Sequence, residues 1–265
     1  MQYQLLCVDL DGTLLNEEKK LPYENREAIR SAWKQGMEIC IASGRSALSA
    51  LEYLEKLGVD GSVVALNGGL IISRGKELAR FALKDEEVLG VLDIAEQTGV
   101  RVYLNSGEKS FVLIESPDLG IEMKKSQMEG FNKMRAKIRS GEEKILKISL
   151  QDEVPLRLEN VRTLISRRVA VSLAKSDVDY VDVFPKDQSK WSGISILLKY
   201  LNIGQKTCVC FGDNENDFEM VKCAGLGIAM GNADLKLKKE ADFVTLKNDE
   251  VGVAYGIRTW ILASS

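Results

Sequence analysis

The sequence predicts an α/β fold: a Rossmann-like parallel-sheet core interrupted by an inserted α+β cap domain. Two observations carry this expectation. Short apolar runs of strand length alternate with amphipathic helical stretches at both ends of the chain, which is the pattern of a parallel sheet covered on both faces. Between about Lys84 and Pro185 that alternation gives way to a different succession of helices and paired strands. Over 265 residues with an apolar share of 45%, the chain has ample material for packed cores.

The elements follow in order. Gln4 to Val8 reads as a short buried strand, followed by a polar stretch and an amphipathic helix from about Glu24 to Lys34. Met37 to Ala42 is a second buried strand, leading to a helix near Leu48 to Leu57. Ser62 to Leu66 is a third strand, ending at Asn67, Gly68 and Gly69. The inserted segment then offers a helix (Glu86 to Gln97), strands Val100 to Leu104 and Ser110 to Glu115, a polar region, a strand Ile145 to Leu150, another helix, and strands Val169 to Leu173 and Val178 to Phe184. The first pattern returns with a helix Trp191 to Leu201, a strand Thr207 to Phe211, a helix from about Asn216 to Cys223, and strands Gly227 to Met230 and Asp242 to Thr245. The expected division is therefore 1–83 and 186–265 for the core, with 84–185 as the insertion.

Composition removes several classes of function. A formal net charge of -3 with 28% charged residues lacks the basic field of non-specific nucleic-acid binding, so nucleic acid is not an expected partner. No apolar run approaches the roughly 18 residues of a membrane helix, and no basic stretch precedes an apolar run at the N-terminus. The five cysteines, Cys7, Cys40, Cys208, Cys210 and Cys223, form an odd set that falls largely inside apolar runs, with none in a Cys-x-x-Cys pair, so buried free thiols are expected over disulfides or zinc. That suits a reducing cytoplasm. The chain contains no histidine, so imidazole chemistry is excluded and carboxylates, lysine, hydroxyls and amides must act instead.

Four segments carry candidate chemistry. Asp9 and Asp11, two apart at the end of the first strand, face the same side beyond its carboxyl edge, where ligands of open α/β sheets bind. So close a pair invites a divalent cation or a shifted proton; the competing reading is a solvated charged turn. Gly12 permits a sharp turn and Thr13 adds a hydroxyl. Ser43 follows the second strand, with Gly44 and Arg45 opening a helix whose amides suit an anion, although a plain N-cap is the alternative. Lys190 stands at a helix start beside Ser189, where the helix dipole disfavours a cation unless an anion holds it. Gly212, Asp213, Asn214, Glu215, Asn216 and Asp217 supply hard oxygen ligands of magnesium type, in a spacing that is not an EF-hand loop; an ordinary acidic helix start is the alternative.

Taken together, Asp9 to Thr13, Ser43, Lys190 and Gly212 to Asp217 resemble the four motifs of the haloacid dehalogenase superfamily. The long insertion resembles the α/β cap of its Cof-type subfamily, and Gly227 to Ala233 resembles that subfamily's tail segment, so the likeness spans the whole chain. Trp191 and Gly69 stand where the subfamily often has glycine and alanine, which bears on the substrate pocket.

The resemblance implies a magnesium-dependent phosphatase of small phosphate monoesters, such as sugar phosphates or phosphorylated cofactors. Asp9 would be the nucleophile and Asp11 the general acid and base, with crowding beside Asp9 favouring protonated Asp11. Mg2+ would be held by the Asp9 carboxylate, the Asp11 backbone carbonyl and Asp213. Thr13, Ser43, Lys190, Asn216 and the amides of Leu10 and Gly44 would bind phosphate oxygens, with Asp217 behind them on Lys190 or a metal-bound water. The insertion would act as a lid that sets specificity, its aromatics Tyr103, Phe111, Tyr180 and Phe184 being core residues and Glu115, Lys124, Lys125 and Lys175 candidates for substrate contact. A monomer or weak homo-oligomer is expected. A sugar phosphomutase and a non-catalytic phosphometabolite-binding protein are the alternative functions.

Overall fold

The computed structural model describes residues 3–113 and 125–263. The chain forms two compact units, one combining residues 1–79 with 189–265 and the other comprising 80–188. The first unit begins with β1 (Leu5–Val8), α1 (Tyr23–Lys34), β2 (Glu38–Ala42), α2 (Ala47–Leu57), β3 (Ser62–Ala65), β4 (Leu70–Ser73) and β5 (Lys76–Arg80). In the second lie α3 (Asp85–Thr98), β6 (Arg101–Asn105), β7 (Ser110–Val112), α4 (Lys125–Arg139), β8 (Lys147–Gln151), α5 (Pro155–Arg168), β9 (Val171–Asp177) and β10 (Tyr180–Pro185). The chain returns to the first unit through α6 (Lys190–Leu201), β11 (Cys208–Gly212), α7 (Phe218–Cys223), β12 (Leu226–Ala229), α8 (Leu235–Glu240), β13 (Phe243–Val244) and α9 (Gly252–Gly256).

The eight strands of the first unit run in the order β13-β12-β11-β1-β2-β3-β4-β5. From β13 to β3 every pairing is parallel, and β4 turns back antiparallel on β3. All residues of β1, β3, β11 and β12 are buried, because helices cover both faces; this is why these strands read as unbroken apolar runs instead of alternating ones. The central strand β1 lies between β11 and β2, and its register pairs Val8 with Phe211 and with Ile41. The carboxyl ends of the three strands are thereby level.

The second unit is a five-stranded antiparallel sheet in the order β7-β6-β8-β10-β9. Val102, Leu104, Ile148, Leu150, Val181 and Val183 alternate onto one face and form a core with α3, α4 and α5. The alternate positions Tyr103, Ser149, Gln151, Tyr180 and Asp182 occupy the opposite face. There Lys147 Nζ and Ser149 Oγ donate to Asp182 at 3.0 and 2.7 Å, and the Tyr103 hydroxyl donates to Gln151 at 3.0 Å. Tyr103 and Tyr180 are thus half-buried, with ring centroids 6.2 Å apart, and not part of the apolar core where periodicity put them; Phe111 packs against that core and Phe184 is buried. Glu115 and Lys124 lie outside the described residues. Among the described residues no helix is long and apolar enough to cross a membrane.

Candidate active site

The site is built where β1 ends. The Asp9 amide donates to the Phe211 carbonyl at 3.2 Å, which ties the first residue after β1 to β11. The chain then folds back tightly: Leu14 N donates to Asp9 O at 3.2 Å and Leu15 N to Leu10 O at 2.9 Å. Gly12 makes this turn possible. Its φ is +76°, and a Cβ there would sit 2.3 Å from Asp213 Oδ2, so the residue supplies both a left-handed turn and room for the facing carboxylate. Thr13, fully buried, donates its hydroxyl to Asp213 Oδ1 at 2.9 Å.

Lys190 is the first residue of α6, whose N-cap Ser189 accepts from Ser192 N at 3.2 Å. Gly68, with φ of +93°, lets the loop after β3 meet this helix start; a Cβ there would lie 2.1 Å from the Ser189 carbonyl oxygen. The Lys190 ammonium is only 1% exposed and donates to Asp9 Oδ1 and Asp217 Oδ1, both at 2.6 Å. The second Asp217 oxygen accepts from the Asp213 and Asn214 amides at 3.0 and 3.1 Å. Asp217 therefore binds Lys190 and braces the loop that carries Asp213.

One oxygen each of Asp9, Asp213 and Asp217 lies within 4.8 Å of the others, and all three residues are buried. Three carboxylates against one ammonium leave two formal negative charges in a desolvated pocket. Burial pushes the Asp9 carboxyl up; the Lys190 charge pulls it back and the Asp217 charge raises it, with a net value of about 7. Asp213 is likewise pushed well above the ordinary carboxylate range, by burial first and then by the charges of Asp217 and Asp9. On Lys190 burial acts the other way, but its two carboxylate partners outweigh it and raise its proton affinity. An all-oxygen donor set with unbalanced negative charge fits a small hard dication.

Asp11 occupies a different environment. Arg45 grips it with two hydrogen bonds, Nε to Oδ2 and Nη2 to Oδ1, each 2.6 Å, and Lys19 Nζ lies 3.1 Å from Oδ1. The Tyr53 ring backs the guanidinium, 5.5 Å from centroid to Cζ. Burial alone would raise the Asp11 carboxyl, but the Arg45 hydrogen bonds and charge, aided by Lys19, hold it below the ordinary range. The expectation that crowding by Asp9 favours protonated Asp11 is thus reversed in this resting arrangement, because two cations face Asp11.

Ser43 is 1% exposed, and its Oγ accepts from the Arg45 amide at 3.2 Å. The helix-cap alternative goes instead to Ser46, which accepts from Ser49 N at 3.4 Å at the start of α2, leaving Ser43, Gly44 and Arg45 in the loop. The Leu10 and Gly44 amides donate no hydrogen bond to another group among the described residues. Asn216 donates to Asn67 Oδ1 at 3.2 Å, and Asn67 N donates to the Ser43 carbonyl at 3.2 Å, which links the second and fourth segments. Sequence reasoning gave no role to Arg45, Asn67 or Asn232. Asn232 donates to the Gly12 carbonyl at 2.8 Å and to Asp213 Oδ2 at 3.4 Å. Its signal was present, since it lies in the tail segment, but a lone amide has no spacing to betray a partner.

A family model for haloacid dehalogenase-like hydrolases matches residues 6–257. The chain belongs to this family. A putative phosphatase of Streptococcus pyogenes serotype M6 is 27% identical over 99% of this chain and 100% of its own. A 5-amino-6-(5-phospho-D-ribitylamino)uracil phosphatase of Bacillus subtilis is 28% identical over 98% and 96%. Among solved structures, a phosphatase of the superfamily from Bacteroides thetaiotaomicron superposes with a TM-score of 0.79 at 26% identity, covering 97% of this chain and 94% of that one. A haloacid dehalogenase-like hydrolase from B. subtilis, at 24% identity, shares the fold with a TM-score of 0.84 over 97% and 100% of the two chains. This haloacid dehalogenase-like chain thus holds its four candidate segments at the shared carboxyl edge of β1, β2, β3 and β11.

Proposed function

We propose that this protein is a magnesium-dependent phosphatase of small phosphorylated metabolites that works through an aspartyl phosphate on Asp9. The observation that carries the reading is the buried carboxylate cluster: Asp9, bound to Lys190 at 2.6 Å, with Asp213 and Asp217 and, among the described residues, no second cation bound to them. Asp9, Asp213 and the Asp11 carbonyl hold Mg2+, which when bound offsets the negative charge of nucleophile and phosphate and so lets two anions meet.

Asp9 attacks phosphorus, forming its own O–P bond as the bond to the leaving oxygen breaks. Lys190 orients the attacking carboxylate, since its ammonium has no freedom between Asp9 and Asp217. Thr13, Ser43, Asn216, Lys190 and the Leu10 and Gly44 amides bind the phosphate oxygens, and the free amide donors support that assignment. Asp11 protonates the leaving oxygen and then takes a proton from the water that cleaves the aspartyl phosphate, so Arg45 and Lys19 must loosen their hold during turnover. Relatives named for a phosphorylated ribityl compound support sugar phosphates or phosphorylated cofactors as the substrate class.

The test is phosphate release across a panel of phosphorylated metabolites, with Mg2+ present and then chelated. Release that needs Mg2+ and that Asp9→Asn abolishes is the expected result. Undiminished activity in Asp9→Asn would sink the proposal.

A further inference from the structure

Below the carboxyl edge, the core of the first unit contains a cluster of sulfur. Cys7 of β1 pairs in register with Cys210 of β11 on one side and Cys40 of β2 on the other. Cys208 is two residues before Cys210 and so faces the same side of the sheet. Cys7, Cys208 and Cys210 converge: the Cys7 and Cys208 sulfur atoms are 3.9 Å apart, those of Cys208 and Cys210 3.8 Å, and all three lie within 4.8 Å of one another. Cys40 adds a fourth thiol beside Cys7. None of the four is solvent-exposed, and all are free.

Cysteine is an ordinary small apolar residue for a sheet interior, and one such residue would mean nothing. The spacing of these three carries more. Thiolates bound tetrahedrally to zinc at about 2.3 Å stand about 3.8 Å apart, and in a trigonal plane about 4.0 Å. The circle through three sulfur atoms with the edges found here has a radius of no more than about 2.5 Å, the length of a bond from thiolate to a soft or borderline metal. The three sulfur atoms already stand where a metal would draw them. Sequence spacing argued against zinc because no Cys-x-x-Cys pair exists, but a parallel sheet brings two strands some 200 positions apart into register and makes the trio without a local motif.

We propose that Cys7, Cys208 and Cys210 form a binding site for one thiophilic dication of the zinc and cadmium class, separate in chemistry from the oxygen cluster of Asp9, Asp213 and Asp217. As each metal–sulfur bond forms, the thiol releases its proton to solvent; three thiolates with one dication leave a single net negative charge. Hard Mg2+ does not compete for sulfur, so the two sites load independently.

The experiment titrates the reduced full-length protein with Cd2+ in excess Mg2+, after Cys223→Ser removes the partly exposed thiol outside the cluster, and reads the thiolate-to-cadmium charge-transfer absorption. One ion per chain is expected, with the absorption unchanged in Asp213→Asn and lost in Cys208→Ser, since Cys208 makes both short contacts. Absence of the absorption, or its full persistence in Cys208→Ser, overturns the proposal. X-ray absorption at the cadmium edge on protein with all four cluster cysteines intact decides the matter even where Cys208→Ser fails to fold: a first shell of three or more sulfur atoms supports the site, and an oxygen shell overturns it.

Discussion

Replacing Lys190 by Met keeps most of the buried stem and removes only the charge. The ammonium donates two hydrogen bonds of 2.6 Å, to Asp9 and Asp217, and is 1% exposed, so water does not take its place. Charge-assisted bonds contribute about 1.5–3 kcal/mol each, and removing one partner of a buried ion pair costs about 3–5 kcal/mol. The variant escapes part of that cost by protonating Asp9, whose carboxyl is already at about 7 with Lys190 in place and rises further without it. At low pH an acid with a raised folded-state value is protonated in both states and costs nothing. Above its unfolded value of 3.8 the unfolded chain ionises while the folded one does not, so stability falls with rising pH until the folded value is passed. Lys190→Met extends that fall to higher pH, at up to about 1.4 kcal/mol for each pH unit. The expected loss is about 4 kcal/mol at pH 8 and smaller by up to about 1.4 kcal/mol at pH 6, in chelator, because the parent's own Asp9 ionises only above about 7. Urea denaturation followed by tryptophan fluorescence measures it, because Trp33, Trp191 and Trp260 all lie in the first unit. A loss under about 1 kcal/mol, or one larger at pH 6 than at pH 8, would refute the reasoning.

Gly12→Ala forces a side chain into a left-handed residue and a Cβ to 2.3 Å from Asp213 Oδ2. The carboxylate must retreat by about 1 Å, where Mg2+ demands bonds of about 2.0–2.1 Å; the Mg2+ needed for half-maximal phosphate release should rise at least about tenfold, and an unchanged requirement would count against Asp213 as a ligand. Arg45→Met removes the main restraint that holds the Asp11 carboxyl low, so the pH dependence governed by Asp11 should move to higher pH, with activity falling about 100-fold for want of positioning. A pH–rate profile superimposable on the parent's would show that Arg45 does not act through Asp11.

The parallel core was legible because its strands are buried on both faces and its helices are not, a contrast that survives in composition alone. Other elements lacked that contrast. The hairpin of β4 and β5 escaped notice because β5, Lys76–Arg80, has no buried residue and reads as polar loop; its turn rests on the left-handed pair Arg74 and Gly75. Helix α4 looked like a polar stretch, although Phe131, Met134 and Ile138 recur on one face and are buried. Of the site, the acids and Lys190 were legible because charge at a strand end or helix start demands a partner. Arg45, Asn67 and Asn232 act by reaching across between segments, and such pairings depend on strand order, which one sequence does not display.

Strand order also explains how two aspartates two residues apart acquire opposite properties. Asp9 turns toward β11 and α6, whose loops bring Asp213 and Asp217 with a single lysine; the surplus of negative charge raises its carboxyl and leaves room for a dication. Asp11 turns toward the loop after β2, which brings Arg45, and toward Lys19; the surplus there is positive and the carboxyl is held low. In the proposed mechanism a nucleophile needs the first setting, where a bound cation would favour its ionised form. An acid and base needs a partner able to yield, and the partly exposed Arg45 guanidinium, which also donates to the Tyr53 hydroxyl, is better able to yield than a lysine locked between two buried carboxylates. The proposed division of labour between Asp9 and Asp11 thus rests on which neighbouring strand each one faces, and exchanging the cations around them should exchange more of their chemistry than exchanging their positions.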